Sequence, residues 1–98
     1  MSAGERAAEM ARVLEQSETK RLADMLREEW ESVETGCNRQ VGAYGSAHVG
    51  GLGCVEMHDS GNERGVWVTI PAIRFKSRAE EAKQTIDAIA EIVRNSGL

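Results

Sequence analysis

Cys37, His48, Cys54 and His58 fall within a span of 22 residues and are the side-chain types that hold a tetrahedral zinc ion. Their spacing is unfavourable: the gaps are eleven, six and four positions, whereas structural zinc sites pair their ligands closely in sequence. On one strand, Cys54 and His58 share a face but stand about 13 Å apart at about 3.3 Å per residue, too far to ligate the same ion. The same residues read as a nucleophilic Cys–His pair need a thiolate, a base in contact with it and a third group to orient the base. Nothing next to either cysteine supplies those. The adjacent carboxylates Glu28-Glu29 and Glu80-Glu81 read as solvated charge on helix surfaces and not as an acid–base dyad. The sequence therefore predicts no catalytic residues, no metal and no cofactor, hence a non-enzymatic protein.

Gly50-Gly51-Leu52-Gly53 invites comparison with glycine loops that cradle phosphates, but no Gly-Lys-Ser/Thr follows it and Cys54-Val55-Glu56-Met57 alternates like a strand. A turn or bulge is the better reading. Gly42-Ala43-Tyr44-Gly45 matches a bare Gly-x-x-Gly, without the basic surroundings of an RNA-binding loop. Arg74, Lys76 and Arg78 form a basic cluster just before a helix start, where an anion could settle with help from the helix amino terminus. Tyr44 and Trp67 are candidates for a shared sheet face, and an exposed aromatic there is a common anchor for a partner. Glu28, Glu29 and Glu31, with Glu9, are a candidate acidic surface on the amino-terminal helices.

These groups must be held by the elements that the apolar and turn patterns define. Ser2 followed by Glu5 has the spacing of a capping box, and Ala3, Ala7, Met10 and Leu14 recur at helical intervals behind it. The stripe breaks at Gln16-Ser17-Glu18-Thr19, where Ser17 is a candidate cap for a second helix, and resumes at Leu22, Met25, Leu26, Trp30 and Val33. Helices over 3–15 and 18–34 are expected, with one long helix as the alternative and Gly36 as the terminating residue. Eight of the ten glycines lie between Gly36 and Gly65, which makes 39–47 and 52–58 weak strands. Asp59-Ser60-Gly61-Asn62 is turn chemistry, and β-branched Val66-Trp67-Val68-Thr69-Ile70 begins a third strand. That strand is expected to continue through Pro71, bulged or at a sheet edge, to Phe75. Ser77 with Glu80 repeats the capping spacing, and Ala79, Ala82, Ile86, Ile89 and Val93 form an apolar face, so a helix over 78–95 follows, with Gly97 beyond its end.

The expected fold is α+β: one or two amino-terminal helices, a three-stranded antiparallel sheet over about 38–75 and a carboxy-terminal helix, all in a single domain over 1–98. Val66, Val68 and Ile70 are read as facing one way and Trp67, Ile73 and Phe75 the other. That second apolar face calls for a cover, either the first helix or a second copy in a homodimer. From Ser17 on, the order of helix, three strands and helix resembles that of double-stranded-RNA-binding domains. The last helix of that family opens on Lys-Lys-x-Ala-Lys. Here the corresponding stretch is Arg78-Ala79-Glu80-Glu81-Ala82-Lys83, with acids where phosphate contacts would be needed.

Twelve Lys and Arg against sixteen Asp and Glu give a net charge of −4, and nine of the acidic residues fall within 1–36. An acidic chain without a basic run is a poor general nucleic-acid binder and suits a protein partner with a basic surface. No apolar stretch approaches the length of a membrane span and no signal-peptide pattern opens the chain, so a cytoplasmic protein is expected, where Cys37 and Cys54 stay thiols, with a bridge between them as the alternative. In size and character the chain resembles phage- or plasmid-borne accessory proteins, including inhibitors such as the anti-CRISPR proteins. That resemblance implies a module that occludes a nucleic-acid-binding complex by meeting it through Glu28, Glu29, Glu31, Tyr44 and Trp67. The other reading is a nucleic-acid or anion binder built on Arg74, Lys76 and Arg78.

Overall fold

The computed structural model describes residues 2–38, 40, 42–60 and 64–96. Three helices and five strands follow in the order α1 (Ala3–Glu15), α2 (Glu18–Arg27), β1 (Val33–Asn38), β2 (Gly42–Val49), β3 (Gly53–Asp59), β4 (Val66–Ile70), β5 (Ile73–Ser77) and α3 (Ala79–Asn95). The strands form one antiparallel meander in sequence order. The mixed α+β class and the helix–sheet–helix order are as expected, but the sheet has five strands and not three.

Both extra strands come from segments whose apolar spacing is ambiguous. The stripe Leu22, Leu26, Trp30, Val33 does meet the core, yet α2 ends at Arg27 and not near 34. The Glu29 and Trp30 amides close a final turn on the Leu26 carbonyl, at 3.1 and 2.8 Å. The chain then reverses, and Val33 packs from a strand. Gly36 lies inside β1 and ends no helix. At the other end of the sheet, Pro71-Ala72 is a two-residue turn between β4 and β5, with Ile70 opposite Ile73. Proline fits the second position of such a turn and the third requires positive φ; Ala72 takes it, at 72°. The long bulged strand is thus a hairpin. Five strands in place of three also remove the topological match to double-stranded-RNA-binding domains.

The helices pack on one face of the sheet. Leu22, Ala23 and Leu26 of α2 and Ala79, Ala82, Ile86 and Ala90 of α3 are buried against Ala47, Val49, Val55, Met57, Val66, Val68 and Ile70. Each large aliphatic buried there contributes roughly 1.5–3 kcal/mol. The amino-terminal helix lies on the same side, against β1 and β2, with no fully buried residue and with Val13 46% exposed. Ser2 and Ser17 cap α1 and α2 as expected, accepting from the Glu5 and Lys20 amides at 3.1 and 3.0 Å. Ser77 does not cap α3. Its hydroxyl donates to the Arg78 carbonyl, and the Glu18 carboxylate takes the Ala79 amide at 3.4 Å instead. Asp59 ties the end of β3 to α2, with Oδ1 accepting from the Thr19 amide at 2.9 Å and the Thr19 hydroxyl at 2.5 Å. The expected start of a strand at Arg39, the turn residues Gly61 and Asn62, and Gly97 beyond the last helix lie outside the described residues.

Candidate functional site

Strand alternation places one set of side chains on the face away from the helices. The register lines up two rows of directly opposed residues across it. One row runs Gly36, Tyr44, His58, Trp67, Lys76; the next runs Glu34, Ser46, Glu56, Thr69, Arg74. Directly opposed residues in a sheet stand about 4.5–5.5 Å apart at Cβ, so each row sets its side chains at neighbour distance across the strands. Tyr44 is 42% exposed, and Glu34, Glu56, Arg74 and Lys76 are exposed as well, so no helix covers this face. Between the rows, Glu34, Tyr44, Ser46, Glu56 and His58 bound a shallow concavity of about 460 Å³.

Tyr44 and Trp67 stand on one face, as the sequence suggests, with His58 directly between them. The His58 Nδ1 lies 3.0 Å from the Asp59 carbonyl, which fixes the ring at the centre of the row. Two features shape the row's ends. Tyr44 lies across β1, where a Cβ on Gly36 would fall 2.5 Å from the Tyr44 hydroxyl, so any other residue at 36 would push the ring from this position. At the other end the Arg74 guanidinium sits 4.3 Å from the Trp67 ring centroid and the Lys76 ammonium 5.7 Å, both within cation–π range. In the sequence His58 stands out as a candidate metal ligand or as the base of a Cys–His pair, not as a member of an aromatic row. The alternation Cys54, Glu56, His58 was the signal that could have put it beside Tyr44 and Trp67.

The remaining candidates are dispersed. Arg78 leaves the basic trio: its Nε donates to Glu18 Oε1 at 2.6 Å, tying α3 to α2. Glu28, Glu29 and Glu31 lie where α2 gives way to β1 and do not join the rows. Glu29 also has a partner, the Lys83 ammonium at 3.4 Å. Lys83 binds Asp87 at 2.5 Å too. Burial pulls its pKa down, but the hydrogen bonds and charges of Asp87 and Glu29 outweigh that and leave it above the ordinary lysine value. Elsewhere on the helices, Arg21 pairs with Glu80 and Glu18, and Arg27 and Lys20 with Asp24. Much of the helical acid is therefore matched locally.

The four candidate zinc ligands do not converge as a set, although His48 and Cys54 are brought opposite each other on β2 and β3. Cys37 lies on the helix side of β1, opposite Ala43, while Cys54 is exposed on the other face of β3. Two cysteines on opposite faces and two strands apart cannot form an intrachain disulfide. Among the described residues no three His, Cys, Asp or Glu side chains converge on one point. The second apolar face of the sheet is likewise absent. Ile73 and Phe75 oppose Ile70 and Val68 directly and so share the core side, which leaves Trp67 as the large apolar residue facing outward from β4 and β5. The reason is the turn at Pro71, which makes two paired strands of one expected strand. The case for a covering helix or a second copy to bury that face goes with it.

No helix among the described residues is long and apolar enough to cross a membrane. No protein-family model matches the chain, and comparison with curated proteins and with solved structures finds no match.

Proposed function

We propose that the chain is a non-enzymatic protein-binding module that works through the open face of its sheet. The observation that carries this reading is the Tyr44–His58–Trp67 row, held on a rigid sheet and left without a helix over it. Tyr, Trp and Arg are the side chains that most often dominate binding energy at protein interfaces. The charges favour a protein over a nucleic acid. Two carboxylates, Glu34 and Glu56, sit toward β1 and β3, and two cations, Arg74 and Lys76, on β5, so among the described residues the charges of the face are separated and balance. A polyanion would be repelled at one end of it. A folded partner presenting a basic patch over Glu34 and Glu56 and an acidic patch over Arg74 and Lys76 would be matched at both. Occupying such a partner's surface, and so blocking what else docks there, is the inhibitory role that suits so small a module.

Affinity capture from cells producing the chain tests this, with Trp67→Ala and Tyr44→Ala as paired variants. Proteins retained by the wild type and lost by both variants are expected. Retention unaffected by either variant would remove the open face from the account.

The Arg74–Trp67 stack favours a second reading, in which a single-stranded nucleic acid lies along the row with its bases on Trp67 and Tyr44. A gel-shift titration with short DNA and RNA at low salt decides it. A shift abolished by Arg74→Ala would put nucleic acid first.

A further inference from the structure

His48 and Cys54 are directly opposed on β2 and β3, on the open face, as the last outward pair before the Val49–Gly53 turn. The turn is tight: the Leu52 amide donates to the Val49 carbonyl at 3.0 Å, and Gly51 takes φ of 86°. The pair therefore sits at one end of the sheet with its spacing set by the ladder. Both side chains are exposed, Cys54 is a free thiol, and neither makes a side-chain hydrogen bond within the described part of the chain. A cross-strand Cβ separation of about 4.5–5.5 Å lets a thiolate and an imidazole reach one ion with bonds of about 2.3 and 2.0–2.1 Å. Glu56, two residues from Cys54 on the same face, and Glu34 add negative potential at this end of the sheet.

Two ligands do not complete a tetrahedral zinc site, and among the described residues there is no third to add. The geometry points to half of a Cys₂His₂ zinc site on each chain, completed when a second copy of the chain supplies its own His48 and Cys54 across a two-fold axis. An identical copy is the simplest source of the two missing ligands, because a two-fold contact brings like to like. Binding releases one proton from each of the two thiols to solvent, and the neutral imidazoles bind as they are. The site lies about 13 Å along the strands from the Tyr44–Trp67 row, four residues away, and about 7 Å from Glu56, so a copy joined there borders the proposed partner surface without covering that row.

Sedimentation of the full chain in a thiol-free reductant, with zinc chloride as the only added metal, tests the proposal. Mass should double at half an equivalent of zinc and return to its starting value with a chelator. Cys54→Ser and His48→Gln should each abolish the doubling, while Cys37→Ser should leave it intact. Both positions are exposed, and unchanged far-ultraviolet circular dichroism would confirm that the variants fold. Cobalt substituted for zinc should show the intense visible bands of a tetrahedral thiolate site, and Cys54→Ser should remove them. A mass that zinc does not change, or doubling that survives in either variant, would overturn the proposal. So would a doubling that a chelator does not reverse.

Discussion

The two faces of the sheet are built from the same strands and differ in almost everything else. On the helix side, alternate residues of β2, β3 and β4 are Ala47, Val49, Val55, Met57, Val66, Val68 and Ile70, all nearly inaccessible and all packed on α2 and α3. On the other side the same strands present Tyr44, Ser46, His48, Cys54, Glu56, His58, Trp67 and Thr69, with no helix above them. One face is specified by burial and tolerates little change in volume. The other is not packed under the helices, so its aromatic, imidazole and thiol side chains call for an explanation besides core burial, and binding is the one offered above.

Substitutions that separate the two faces sharpen this contrast. The largest effect is expected at Ile86, fully buried where α3 meets the sheet: Ile86→Ala should cost about 2–5 kcal/mol in urea unfolding. Trp67→Ala, on the open face, should cost much less than that while removing partner capture. If the two cost the same, Trp67 would be a core residue and the contrast would fail. Next comes the link between β3 and α2. Asp59→Ala strands the Thr19 amide and hydroxyl, with Thr19 itself inaccessible, and should cost about 1–3 kcal/mol by the same assay. In the opposite direction, Ala72→Gly relieves a non-glycine residue at φ 72° and should raise stability by up to about 1 kcal/mol. It should do so without altering capture, since Ala72 belongs to neither row.

The smallest effect is electrostatic. The raised pKa of Lys83 means that folding favours its charged form, so the stabilisation is complete below the ordinary lysine value and is lost as pH climbs past it. For a solvent-screened pair this amounts to about 0–1 kcal/mol, and Lys83→Met should flatten that stretch of the pH–stability curve.

Much of the covered face was legible in the sequence because burial leaves a periodic trace. Leu22, Leu26 and Ile86 lie on helical stripes, Ser2 and Ser17 were readable caps, and the β-branched run from Val66 to Ile70 was a strand on sight. The strand count was not legible, for two physical reasons. Trp30 and Val33 keep helical spacing although the chain leaves the helix at Arg27, because a strand following a turn can touch the same core. Pro71-Ala72 reads as an interruption and not a turn, because the residue at positive φ is alanine, where glycine would have announced it. The open face was half legible. Tyr44 and Trp67 could be placed together by alternation, but His58 between them, and the opposition of His48 to Cys54, depend on register, which local sequence does not encode. Arg78 looked like the third member of a basic trio because its partner, Glu18, lies sixty residues away in the chain.

The central claim is that the open face, and not the helix layer or its acidic end, is where a partner docks. A photo-crosslinking amino acid tests this directly when placed at Thr69, between Glu56 and Arg74 in the outer row, and separately at Ile92, which is 68% exposed on α3. After irradiation in cells producing the chain, a discrete protein adduct is predicted from position 69 and none from position 92. An adduct from position 92 with none from position 69 would contradict the account and move the interface to the helices.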